Sequence, residues 1–153
     1  MALDFKHPVD RVENISREEF QEKYMKPQKP VVLRGFLGDS ACYKKWSFDY
    51  FKKVAGEVEI QCFRNLEEDL DKTLKKSDIK MKFGDYLDII KKGPTDLRLH
   101  LFNVFKHHPE LYDDFSFPKI ADNFLKKFCY MFFGGHGSVA RMHQDIDLSN
   151  VFL

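Results

Sequence analysis

Two stretches of this chain alternate apolar and polar residues with a period of two, and that alternation restricts the fold more than any other feature. In EVEIQCF, Val58, Ile60 and Cys62 alternate with Glu57, Glu59 and Gln61. In DLRLHLFNVF, Leu97, Leu99 and Leu101 lie opposite Arg98, His100 and Phe102. Successive residues of a strand point to opposite faces, so each stretch predicts a strand with one buried side. KFCYMFFGG predicts an apolar, aromatic strand ending at Gly134-Gly135, and PVVLRGF a short buried one over Val31 to Leu33. Such a sheet needs a cover on its apolar face.

Helices supply that cover upstream. In NISREEFQEKY, Ser16 caps, Glu19 completes a capping box, Ile15 staples onto Phe20, and Phe20 and Tyr24 share a face. Pro27 and Pro30 end this helix. In WSFDYFKKVAG the cap is Ser47, the staple is Trp46 with Phe51, Asp49 suits the first-turn dipole, and Gly56 terminates. MKFGDYLDIIKKG predicts a third helix, with Phe83, Leu87 and Ile90 on one side and Gly93-Pro94 as its stop. NLEEDLDKTLKKSD reads as a charged surface loop or short helix, and HHPELYDDFSFPKIADNF as a loop punctuated by Pro109 and Pro118.

Composition narrows the function classes. Hydrophobic residues make up 43% of the 153, too many for a disordered segment. The 25 basic and 24 acidic residues nearly cancel, which gives no global electrostatic case for DNA or an anionic membrane. MALDFKHPVD carries no apolar run of signal-peptide length, and no eighteen apolar residues run together, so a cytoplasmic protein is expected. Cys42, Cys62 and Cys129 are scattered and form no CxxC pair; reduced, mostly buried thiols are expected.

The chemistry-bearing feature lies in GGHGSVARMHQDIDLSNVFL. After a Gly-His-Gly-Ser turn, His143 and Asp145 stand two apart on a predicted strand. That spacing puts imidazole and carboxylate on one face, where a second His would complete a facial triad with open positions for oxygen and a co-substrate. The alternative is a solvated strand end with a local His–Asp hydrogen bond. His108-Pro109-Glu110 has the same spacing, but Pro109 breaks any ladder there, so its side chains need not align. His136, between two glycines, reads as a turn residue. Arg141 alternates with His143 and is a candidate to serve a carboxylate, with a structural ion pair as the alternative.

The succession of apolar strand, Gly-rich turn, Ser-Val, His-x-Asp, then Asn and an aromatic resembles the JmjC family of Fe(II)- and 2-oxoglutarate-dependent oxygenases, in particular its cupin-like branch with the asparaginyl hydroxylases. PVVLRGFL with a Trp some ten residues on, the LRLHLFNVF strand and the FKHHPELYDDFSFP loop extend the likeness from about Pro30 to Leu153. The resemblance implies that His143 and Asp145 are two iron ligands. It implies that Asn150 faces the co-substrate pocket, although Asn150 lies one residue farther from the His than the family pattern. His100 stands where that pattern often has a Tyr reaching the co-substrate carboxylate, and Ala140 where many members place a Thr that touches it. An Ala cannot make that contact.

The fold implied is mainly β with helical N-terminal decoration (α+β): a JmjC/cupin double-stranded β-helix, or jelly roll, incomplete in this chain. Residues 1–153 form one domain, helix-rich over 1–96, with the first core strands over 97–153. Eight strands with their connections need roughly 80–90 residues, and only 26 run from Phe128 to Leu153. The expectation is a chain cut from a longer enzyme, whose distal His and co-substrate anchor lie beyond it. Two of three ligands would hold iron weakly, so this chain alone is expected to be inactive. The alternatives are a protein completed by a second copy along the open sheet, and a non-catalytic interaction module. The implied cofactors are Fe(II) and 2-oxoglutarate as co-substrate; the substrate class, protein side chain or RNA base, is open.

Overall fold

The computed structural model describes residues 8–64, 79–115, 120 and 129–138. Strand β1 (Asp10–Glu13) pairs in parallel with β2 (Val31–Arg34), in a register running from Asp10 opposite Val31 to Glu13 opposite Arg34. Helix α1 (Arg17–Phe20) joins them and continues as a π-helical turn, Gln21–Met25. The Ser16 hydroxyl accepts from the Glu19 amide at 3.1 Å, as its capping position predicts. In the wider π turn the Lys26 amide reaches the Gln21 carbonyl at 2.9 Å. There Tyr24 is buried, and its hydroxyl donates to Asp10 at 3.3 Å.

Helix α2 (Ala41–Lys45) follows β2 in a stretch for which the sequence signals no element. It is barely more than one turn, too short to show a period. Helix α3 (Phe48–Ala55) begins at Ser47, whose hydroxyl accepts from the Tyr50 amide at 3.2 Å. The expected staple forms, with the Trp46 and Phe51 rings edge to face at 5.2 Å.

The main sheet has the order β4-β3-β5-β6 and is antiparallel throughout. Its strands are β3 (Glu59–Arg64), β4 (Ile79–Lys82), β5 (Leu97–Phe102) and β6 (Met131–Gly134). Ile60 and Cys62 are buried, as the alternation in EVEIQCF requires. β4 escapes sequence reasoning because IKMK runs straight into helix α4 (Phe83–Lys92) and looks like its first turn. No side chain caps α4. Its leading amides are satisfied by backbone instead: Phe83 donates to the Val58 carbonyl at 2.8 Å and Gly84 to the Gly56 carbonyl at 2.9 Å. A Cβ on Gly84 would stand 3.2 Å from that Gly56 oxygen, so the crossing needs glycine.

β5 departs from the predicted alternation. Leu97 to Leu99 follow it, but Leu101 is 58% exposed and Phe102 is buried. Leu99 pairs with Phe133 and Phe102 with Met131, so three steps on β5 match two on β6. That is a β-bulge, and Leu101 takes up the extra residue at φ +55°. The chain turns helical before the end of DLRLHLFNVF, at α5 (Val104–His107), capped by Asn103, and a 3-10 helix over Pro109–Asp114 stands where a loop is expected.

One face of the main sheet carries the core. Ile60, Cys62, Leu99, Phe102 and Phe133 project from it against Phe51 and Ala55 of α3 and Phe83, Tyr86, Leu87 and Ile90 of α4. Phe83 contacts the rings of Phe102 at 4.8 Å and Phe133 at 4.9 Å, joining helix, β5 and β6 in one aromatic cluster. Cys42 and Cys62 are buried, Cys129 is partly so, and none is disulfide-bonded.

Candidate functional site

The approach to the His-x-Asp segment is built from β6 and the turn that follows. The Ser138 amide closes that turn on the Gly135 carbonyl at 3.1 Å, and Gly137 adopts φ +89°, open only to glycine without strain. His136 is exposed within this turn, in agreement with its sequence context. His143, Asp145, Arg141, Asn150 and Ala140 lie outside the described residues. His100 sits on β5 between buried Leu99 and the bulge residue Leu101.

Among the described residues no group of three His, Cys, Asp or Glu side chains could hold a metal ion. The second His-x-acid pair does meet: His108 Nδ1 lies 2.9 Å from Glu110 Oε1. Pro109 opens a 3-10 helix between them, so this is an exposed helix-start pair and not a strand site.

The turn is anchored from below by α4. Tyr86 is fully buried, and its hydroxyl donates to the Phe133 carbonyl at 2.7 Å. Burial raises the phenol to about 12, so it remains a donor across the physiological range. A Cβ on Gly135 would meet Thr95 Cγ2 at 3.2 Å and Ile90 Cβ at 3.4 Å, which places the turn directly on the end of α4 and its exit. On β5, in register with Gly134, the buried Nε of Arg98 has no hydrogen-bond partner among the described residues.

One buried carboxylate was invisible in the sequence. Asp114, 7% exposed, accepts from Lys45 Nζ at 2.6 Å, Trp46 Nε1 at 3.1 Å and the Tyr50 hydroxyl at 3.1 Å. The Lys45 bond holds its pKa below the ordinary carboxylate value against the opposing effect of burial, with Trp46 and Tyr50 adding to it. All three donors are satisfied by it, so this cluster is a clasp between α2–α3 and the 3-10 helix.

The family model described as a cupin-like domain matches residues 17–153. Lysine-specific demethylase 8 of Xenopus tropicalis is 28% identical over 155 aligned positions, covering 94% of this chain and 33% of the relative. The tRNA wybutosine-synthesizing protein 5 of Homo sapiens is 42% identical over 55 positions, 35% of this chain and 17% of the relative. The bifunctional arginine demethylase and lysyl-hydroxylase psr-1 of Caenorhabditis elegans is 25% identical over 127 positions, 79% and 30% respectively. The chain spans a third or less of the length of these relatives.

Proposed function

Because the chain belongs to the cupin-like domain family, we propose that it serves an Fe(II)- and 2-oxoglutarate-dependent oxygenase of the JmjC type, a hydroxylase or demethylase. The observation that carries this reading is the family match over residues 17–153, which runs through His143 and Asp145. Imidazole nitrogen and carboxylate oxygen are donors suited to a ferrous ion, and a His and an acid are two members of the facial triad. Iron so held supplies oxygen activation coupled to decarboxylation of 2-oxoglutarate to succinate. The chain's own part is to present the two ligands together, with His100, Arg141 and Asn150 as candidates to orient the co-substrate. The near-neutral charge of the chain favours a protein side chain as substrate over an RNA base, the two classes that the relatives' names carry. No helix among the described residues is long and apolar enough to cross a membrane.

The test is a Mn(II) titration followed by proton relaxation, with and without 2-oxoglutarate. Binding lost in both His143→Ala and Asp145→Ala, and tightened by 2-oxoglutarate, supports the assignment; binding unchanged in either variant overturns it. Succinate release under Fe(II) and oxygen, compared between this chain and a version extended through the remaining jelly-roll strands, then separates an oxygenase from a metal-binding relative.

A second reading, a non-catalytic module that pairs with a second copy, is favoured by exposed apolar side chains on and beside two neighbouring strands. Leu101 is 58% exposed, Phe132 60% and Tyr130 40%. Sedimentation showing a dimer that binds neither Mn(II) nor 2-oxoglutarate would select it.

A further inference from the structure

We propose that the crevice at the carboxyl ends of β1 and β2 binds a small organic monocarboxylate, its apolar body among Val12, Ile15, Leu33 and Phe36 and its carboxylate on Arg34. The proposal is independent of the metal assignment and involves none of the residues named there.

The crevice follows from the local topology. β1, α1 and β2 form a parallel crossover, and ligands of parallel sheets gather outside the carboxyl ends of the strands. A cavity of about 260 Å³ opens at that end. Both strands leave it through left-handed backbone, Asn14 at φ +55° and Gly35 at φ +69°, which turns the two exits sharply at its mouth. Val12 and Leu33 are partners in the strand register and share one face, so they form an apolar wall side by side. Ile15 and Phe36, one from each exit, extend that wall. The volume falls just below the roughly 300 Å³ at which pockets for drug-sized ligands begin, so it suits a small molecule.

Charge decides the class of ligand. Among the described residues that line the cavity, Arg34 alone is charged. Glu13 Oε1 stands 3.9 Å from the Arg34 guanidinium, too far for a hydrogen bond, and both side chains are exposed, so the pair is loose. Glu13 itself does not line the cavity. The planar fork of the guanidinium matches the two oxygens of a carboxylate. One positive charge balances a monoanion, whereas a phosphate dianion would be left half neutralised in a mainly apolar setting.

The test is a titration of the chain with hydrocinnamate in EDTA, followed by NMR at the methyl groups of Val12, Ile15 and Leu33. Saturable shifts at all three are expected. Hydrocinnamamide has the same shape without the charge and should bind about tenfold more weakly or worse. Arg34→Met should weaken the acid by a similar factor. Glu13→Gln removes the competing carboxylate and should tighten it severalfold. Both substituted side chains are exposed, and methyl signals of the main-sheet core, such as Ile60 and Leu99, report whether each variant keeps its fold. Should either variant lose it, the acid-to-amide ratio in the unmodified chain decides alone. Absent shifts, equal binding of acid and amide, or unchanged affinity in folded Arg34→Met would overturn the proposal. Inorganic phosphate that moves the same methyls at lower concentration than hydrocinnamate would overturn the carboxylate class.

Discussion

The indole of Trp46 donates to the carboxylate of Asp114 at 3.1 Å, joining two segments that lie 68 residues apart. Trp46 also stacks on Phe115 at 6.3 Å and touches Phe105 at 6.1 Å, so its ring is held by the segment after β5 on both polar and apolar sides. The short helices around the sheet are too brief to be stable by themselves. Contacts of this kind, rather than helix propensity, hold them.

Asp114→Ala is accordingly expected to destabilise the chain by about 2–3 kcal/mol, because it leaves the Trp46 and Tyr50 donors without an acceptor in a half-buried setting. Lys45→Met should cost little, since the ammonium stands in water and is half exposed. Urea denaturation of the two variants measures the difference. Equal losses would mean that the surface ion pair, and not the buried hydrogen bonds, carries the clasp.

The same carboxylate sets an acid limit. Its pKa is held below the ordinary value of 3.8 in the folded chain, first by Lys45, so the folded state loses its proton at lower pH than the unfolded state does. The stabilisation is therefore present above about pH 4 and fades as pH falls through the depressed folded value. Urea midpoints between pH 6 and pH 2.5 should decline below pH 4, and Asp114→Asn should flatten part of that decline.

At the alkaline end the signs reverse. Burial raises the Cys62 thiol to about 11 and the Tyr86 phenol to about 12, from ordinary values of 9.0 and 10.0. Above pH 9 the unfolded chain releases these protons first, so stability is full below that point and is lost as pH climbs toward 11 and 12. Thiol labelling at pH 8 supplies a direct check: the partly exposed Cys129 should react first, with Cys42 and Cys62 following only on unfolding.

Local signals carried most of the architecture. Ser16 and Ser47 cap where their sequence context puts them, and Ile60 and Cys62 face inward as the period of two requires. What failed was either too short or too distant. IKMK has four residues and merges with the following helix, so no period distinguishes it. Asp114 carries no sequence mark of its role, because its three donors come from Lys45, Trp46 and Tyr50, 64 to 69 residues away. The His143–Asp145 pair, which lies outside the described residues, is legible as a spacing and through its family pattern, and spacing along one segment says nothing about which other strand would face it.

Leu101 offers the sharpest test of where the alternation breaks. At φ +55° a Leu carries a steric cost of about 1–2 kcal/mol that Asn largely avoids. The side chain is 58% exposed, so little apolar burial is lost on replacing it. Leu101→Asn should raise stability by about 0.5–1 kcal/mol. Two places earlier, Leu99 is 4% exposed, and Leu99→Asn should cost several kcal/mol, about 3 or more, by opening the core and burying an amide. A strand without the bulge would put Leu101 on the same buried face as Leu99, and both substitutions would then destabilise. Opposite signs in urea denaturation place the extra residue of β5 at Leu101; matching signs restore the regular strand.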